Sequence, residues 1–196
     1  MDQELQEEAF EFIAKFVKYG FYPSKEKVLE TLEDTLYDEE LDMDLIEKEI
    51  DRVIAAQLEE EKSWNPVTDF DRLAECFSEL NENSIIAIHF AGNTQSDGFE
   101  DSSDRYKNWK EEGKIADGYC FYTSQDTEGA IDGRDLYLAF GAFEQHEKNG
   151  VGIGQRIVEV LMKHGFSVEW NNSIKTRIVI RPFVWQKRFG SKPCYD

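Results

Sequence analysis

Residues 118–141, GYCFYTSQDTEGAIDGRDLYLAFG, constrain the fold more than any other stretch, because two β-forming runs flank one short polar segment. Tyr119, Phe121 and Tyr122 make an aromatic run. Leu136, Tyr137, Leu138, Ala139 and Phe140 make a nearly continuous apolar one, of the kind found in a strand buried on both faces. Between them lies Gln125-Asp126-Thr127-Glu128, the densest polar group beside a predicted core strand. The pattern predicts strand, tight turn with a short helix, then strand.

The chain before residue 64 reads as helix throughout. Leu5, Ala9, Phe12, Ile13, Phe16 and Val17 recur at spacings of three and four, with a stop expected near Gly20, ahead of Pro23. Ser24 is a good N-cap for a second helix burying Val28, Leu29, Leu32 and Leu36. A third, from about Asp42, carries Leu45, Ile46, Ile50, Val53, Ile54 and Leu58 on one face. Trp64-Asn65-Pro66 marks the boundary to the rest. Beyond it, Thr68 or Asp69 caps a helix burying Leu73, Cys76, Phe77 and Leu80, and residues 85–90 (IIAIHF) form a first strand. The stretch 92–103 (GNTQSDGFEDSS) reads as an exposed, mobile loop, and a short helix follows over 104–113 with Tyr106 and Trp109 inward. After the central stretch, 149–165 reads as a helix, and 166–170 and 176–180 as two strands joined by a hairpin-type turn. The order β-α-β-α-β-α-β-β predicts an α+β (or α/β) fold: a three-helix segment over 1–63, then an α/β core over 64–196 with a mixed sheet of about five strands, the last pair antiparallel, or one continuous domain.

Charge narrows the function classes. With 41 acidic and 22 basic residues the net charge is −19. Nucleic acid and anionic membranes are polyanions, so neither is an expected partner; a basic protein is. Residues 1–62 hold 20 acidic and 7 basic residues, net −13, which is two thirds of the surplus. The start, MDQELQEE, has no apolar core, and the aliphatic runs are far shorter than the roughly 20 residues needed to span a bilayer. The expectation is a cytoplasmic protein. Cys76, Cys120 and Cys194 are odd in number and widely spaced, which fits reduced thiols better than disulfides or a zinc site.

Four groups are candidate sites. Gln125, Asp126 and Glu128 follow a strand end, where open α/β sheets place ligands, and could line a cleft; equally, Thr123 or Ser124 can cap the short helix, with Asp126 and Glu128 complementing its dipole. Asp69, Asp71 and Arg72 make a helix start with a local ion pair. Glu59, Glu60 and Glu61 form an exposed acidic cluster that could steer a basic partner or serve only as solvated surface. Gly150, Gly152 and Gly154 open a helix after a strand, and such glycines let backbone N–H groups approach a pyrophosphate; residues 149–166 are similar to the acetyl-coenzyme-A-binding turn of acetyltransferases of the general amine type, although the preceding connection is longer than that turn usually has. His89, His146 and His164 lie apart from one another and from the cysteines, so no metal site, catalytic residue or cofactor is assigned. The basic, aromatic stretch 181–188 (RPFVWQKR) is expected to pack on the protein itself.

The ordered set Trp64, TDFDRL (68–73), QDTE (125–128), LYLAFG (136–141), Glu169-Trp170 and WQKR (185–188) resembles an uncharacterised bacterial family known only as a domain of unknown function. The resemblance covers most of the chain and implies no activity. Relatives commonly carry a cysteine-rich turn after the first strand; here residues 91–96 read AGNTQS. Two functions stay open: a non-catalytic interaction protein engaging a basic partner, as an immunity or antagonist protein does, and a small acyl-coenzyme-A or nucleotide-binding transferase using residues 150–154.

Overall fold

The structure, a computed structural model, describes residues 3–37, 41–143 and 147–191. The chain forms two compact units, one of residues 1–68 with 186–196, the other of 69–185.

The first unit is helical: α1 (Gln3–Tyr19), α2 (Lys25–Thr35) and α3 (Met43–Glu61) each pack on the other two. Ala9, Ile13, Phe16 and Val17 of α1 are buried at the spacing the sequence shows, with Val28 and Leu32 of α2 and Ile46 and Ile50 of α3. Ser24 and Asp42 cap α2 and α3, accepting from the N–H groups of Lys27 (3.3 Å) and Leu45 (3.2 Å). The apolar stripe of α3 is narrower than expected, for Leu45 and Leu58 at its two ends are exposed. Residues 186–191 belong to this unit. The Phe189 N–H donates to Glu61 Oε1 (2.8 Å), Arg188 donates to the Asn65 carbonyl (2.7 Å), and Lys187, 1% exposed, lies over the Phe21 ring and donates to Ser191 Oγ.

The second unit is a five-stranded sheet with helices packed on it, in the order β1-β2-β3-β5-β4: β1 (Ile85–Ile88), β2 (Gly118–Phe121), β3 (Leu136–Ala142), β4 (Val168–Glu169) and β5 (Ile178–Ile180). Strands β1 and β2 are parallel; every other pair, including β4 and β5, is antiparallel. The fold is α+β. The helices are α4 (Asp69–Glu82), α5 (Gln95–Glu111), α6 (Ser124–Ile131) and α7 (Glu147–Lys163). Alternation along β2 sorts them: Tyr119 and Phe121 meet Phe99 of α5, whereas Gly118, pointing the other way, meets Ile153 of α7. α4 packs on both β1 and α7. The outer edge of β1 is blunted by Asn81, whose side chain accepts from the Ala87 N–H (2.9 Å) and donates to the Ala87 carbonyl (3.2 Å). No helix among the described residues is long and apolar enough to cross a membrane.

Two local expectations are corrected. The first strand stops at Ile88, because Phe90 turns the backbone left-handed (φ 55°) and hands the Ala91 N–H to the Tyr122 carbonyl (2.8 Å). Residues 95–103 are not a loop but the first half of α5. Thr94 and Asp97 form a capping box that starts the helix early, and Gly98 lies directly beneath the Phe121 ring, which its polar neighbours gave no reason to expect. A Cβ at position 98 would sit 2.6 Å and 2.8 Å from two carbons of that ring. Gly98→Ala is therefore expected to destabilise the protein by about 1–3 kcal/mol through overpacking, overriding the roughly 1 kcal/mol by which alanine is preferred in a helix. Urea denaturation monitored by circular dichroism checks this.

Candidate functional site

At the carboxyl ends of β1 and β2, two helices begin side by side, and each fills its own amino terminus. Asp97 accepts from the N–H groups of Asn93 (3.1 Å) and Thr94 (2.8 Å), and Asp126 from the Thr123 N–H (3.0 Å) and hydroxyl (2.9 Å), while each threonine oxygen accepts from the aspartate N–H in return. Ser124 Oγ joins the two turns by donating to Asn93 Oδ1 (2.6 Å). Asp126 is also ion-paired with Arg177, which donates to the Tyr137 carbonyl as well (2.8 Å). The donors that a ligand would use at these helix ends are thus largely engaged by side chains of the same turns. Of the QDTE residues only Gln125 is exposed, with Asp126 and Glu128 half-buried and Thr127 buried.

Asp69 and Arg72 pair at 2.6 Å, but their reach is longer than the helix start suggested. Arg72 donates to the carbonyls of His164 (3.2 Å) and Gly165 (3.1 Å) at the end of α7 and lies 4.4 Å from the Phe166 ring centre, and Asp69 accepts from the Val184 N–H (3.0 Å). These contacts tie α4 to α7 and to the chain after β5, while Asp71 is half-buried in the first turn of α4. Of the acidic trio, Glu59 and Glu60 are exposed, but Glu61 is half-buried and accepts from Phe189 and Gln57 (3.1 Å), so it is a structural acceptor.

Gly150, Gly152 and Gly154 stand inside the first turns of α7, not in a turn ahead of it. Gly150 and Gly154, four residues apart, are buried, and Cβ atoms there would meet Ile174 Cγ2 at 2.7 Å and Phe140 at 2.8 Å. They let α7 settle close on its neighbours. A Cβ at Gly152 would meet nothing within 4 Å.

The buried thiols Cys76 and Cys120 are free; burial pushes Cys76 up to about 12 and Cys120 higher still, so both stay protonated near neutral pH. His89 is buried between Phe77 and Phe70, its Nδ1 2.9 Å from the Tyr122 hydroxyl. His164 lies against Glu79 (2.9 Å). His146 and Cys194 fall outside the described residues. Among the described residues no three His, Cys, Asp or Glu side chains are placed to hold a metal ion.

A cleft of the sheet unit lies at the other end, by the amino terminus of β2. It measures about 640 Å³ and is lined by Tyr106, Lys110, Lys114, Phe143, Gly152 and Arg156, among others. Gly113 (φ 74°) shapes it by ending α5: the Gly113 N–H donates to the Lys110 carbonyl (3.1 Å) and the Lys114 N–H to the Trp109 carbonyl (2.8 Å), after which the chain drops into β2. Gly152 stands out in the sequence as a candidate cofactor turn and Tyr106 as an inward helix residue, whereas Lys110, Lys114 and Phe143 do not stand out. The available signal was Tyr106, Lys110 and Lys114 recurring every four residues in an otherwise acidic chain.

Fold and site together define an α+β protein that also carries a three-helix unit. The sequence model of the family described as "Domain of unknown function (DUF6891)" matches residues 2–189, and the chain belongs to that family. No curated protein and no solved structure matches the chain.

Two outcomes follow from this geometry. Hydrogen bonds from Thr94 and Asn93 hold the Asp97 carboxyl below its ordinary value of 3.8, so the stability it confers is fully present above that value and is lost as pH falls through the lower value it has in the fold. Asp97→Asn should flatten the acid side of the stability profile, measured by urea melts at stepped pH. Gly152→Ala should be neutral or stabilising by up to about 1 kcal/mol, and Gly154→Ala destabilising by about 1–3 kcal/mol; thermal melts of the pair distinguish open surface from packed helix.

Proposed function

We propose that this protein works without catalysis of its own, as a cytoplasmic interaction protein that binds a basic protein through the acidic surface of its helical unit, in the manner of an immunity or antagonist protein. The observation that carries the reading is on α1: Glu4, Glu7, Glu8 and Glu11 are all exposed and recur at three- and four-residue spacings, which aligns them as one stripe. Glu59 and Glu60 add exposed carboxylates at the end of α3. Much of the positive charge of this unit is already engaged within it. Lys25 bridges to Glu47 (3.2 Å) and Asp51 (2.8 Å), Arg52 pairs with Glu49 (2.5 Å), Lys62 with Glu59, and Lys187 is buried. A stripe of one sign raises the local concentration of an oppositely charged partner and speeds its association.

The test is a triple reversal, Glu7→Lys, Glu8→Lys and Glu11→Lys, which leaves Glu61 and its bond to Phe189 intact. Wild-type protein on a support should retain basic proteins at low salt and release them as the Debye length shrinks from roughly 10 Å at 0.1 M to 3 Å at 1 M. The reversed protein, shown by circular dichroism to be folded, should associate at least about tenfold more slowly with the same proteins. Equal capture by both would overturn the reading. The second reading, a small transferase binding acyl-coenzyme A or a nucleotide, is supported by one observation, the opening of Gly152 onto the cleft.

A further inference from the structure

We infer that the cleft between the end of α5 and the start of α7 is a binding site for a nucleoside phosphate, held by its ring against Tyr106 and Phe143 and by its phosphates on Lys110, Lys114 and Arg156. The inference concerns residues 69–185 only. It deepens the cofactor reading by assigning the residues, and it is independent of the acidic stripe.

Three features converge. The first is size: about 640 Å³ lies within the roughly 300–1,000 Å³ of small-molecule sites and exceeds what inorganic phosphate would fill. The second is charge. In a chain of net −19, the cleft lining carries three cations against the single carboxylate of Asp117, a local net of +2. Arg156 is fixed in place by Asp117 (2.7 Å) and by the Asn83 carbonyl. Lys114 is paired with Glu112 (2.7 Å), whereas Lys110 is exposed and its ammonium has no hydrogen bond or ion pair among the described residues. A phosphate would supply the acceptor that Lys110 lacks, with Arg156 and Lys114 beside it. The third is the wall. Tyr106 and Phe143 stack with centres 4.2 Å apart and planes 20° from parallel, a flat apolar surface that a planar base can extend.

The position of Gly152 completes the cleft. It lines the site with nothing within 4 Å of where a Cβ would stand, so a ligand can lie directly against that face of α7. A polynucleotide is disfavoured by the overall charge of −19. A single nucleotide, whose phosphates meet only the local cations, is not.

The experiment is a thermal-shift and calorimetric titration of the full chain with ATP, AMP and acetyl-coenzyme A, and with adenosine and pyrophosphate as the two half-ligands. ATP at a hundredfold excess over its Kd should raise the melting temperature by roughly 5–10 °C, and each half-ligand should bind more weakly. Lys110→Glu should weaken ATP about 10-fold or more without changing the unliganded melting temperature, since it removes one charge-assisted contact from an exposed position. Gly152→Met, a good helix former, should fill the cleft and abolish binding while leaving the unliganded protein as stable or more so. The triple reversal on α1 should bind ATP like wild type. Absence of any nucleotide-induced shift would overturn the inference. So would affinity unchanged in both cleft variants, which locates binding elsewhere, or pyrophosphate binding as tightly as ATP, which leaves the aromatic wall without a role.

Discussion

Close approach of helices to β2 from both sides is the constraint on which the sheet unit depends. The strand is short and is paired on one edge in parallel with β1 and on the other in antiparallel fashion with β3. On one face Gly98 lets α5 lie against the Phe121 ring, and on the other the missing side chain of Gly118 admits Ile153 of α7. Each approach is possible only because one partner presents no Cβ, so the interior is filled by the facing aromatic or aliphatic group at close-packed density. Gly154 repeats the device against Phe140 and Trp170.

That packing decides where chemistry has room. The crossover from β1 through α5 to β2 brings two helix amino termini to the carboxyl ends of the parallel strands, the customary ligand position in open α/β sheets. In this chain Thr94 with Asp97 and Thr123 with Asp126 satisfy those termini from within, and Arg177 adds the counter-charge for Asp126. The same fold leaves the opposite end less occupied: α5 terminates at a glycine, α7 carries an open Gly152 in its second turn, and cations from both helices line the gap between them. Charge in the molecule is therefore divided by location. The helical unit carries a stripe of carboxylates on α1, and the sheet unit gathers cations at one cleft.

Much of the architecture was legible locally. The aromatic and apolar runs at 118–122 and 136–140, the cap at Ser24, the helix start near Asp42, the cap at Thr123 or Ser124, and the three-and-four spacing of α1 are short-range patterns whose physical cause lies within a turn or a strand of the residues concerned. The order of strands and helices after residue 84 follows from the same signals, and so does the antiparallel closing pair. The candidate site was less legible. Asp126 was visible as a capping residue but not as the partner of Arg177, 51 positions away, and Glu61 looked like surface charge although it holds the Phe189 N–H across 128 positions.

What the sequence by itself determined is thus the set of elements and the distribution of charge, because periodicity, capping and net charge are properties of neighbouring residues or of the whole composition. Only the tertiary structure decided that 95–103 is helix, that Gly150 and Gly154 are packing contacts while Gly152 is open, and that Tyr106, Lys110, Phe143 and Arg156 share one cleft. Glycine, lysine and a lone aromatic residue carry little local preference that reveals their partner. Their roles arise from which surfaces the fold presses together and which it leaves apart, and that depends on contacts between residues far apart in the chain.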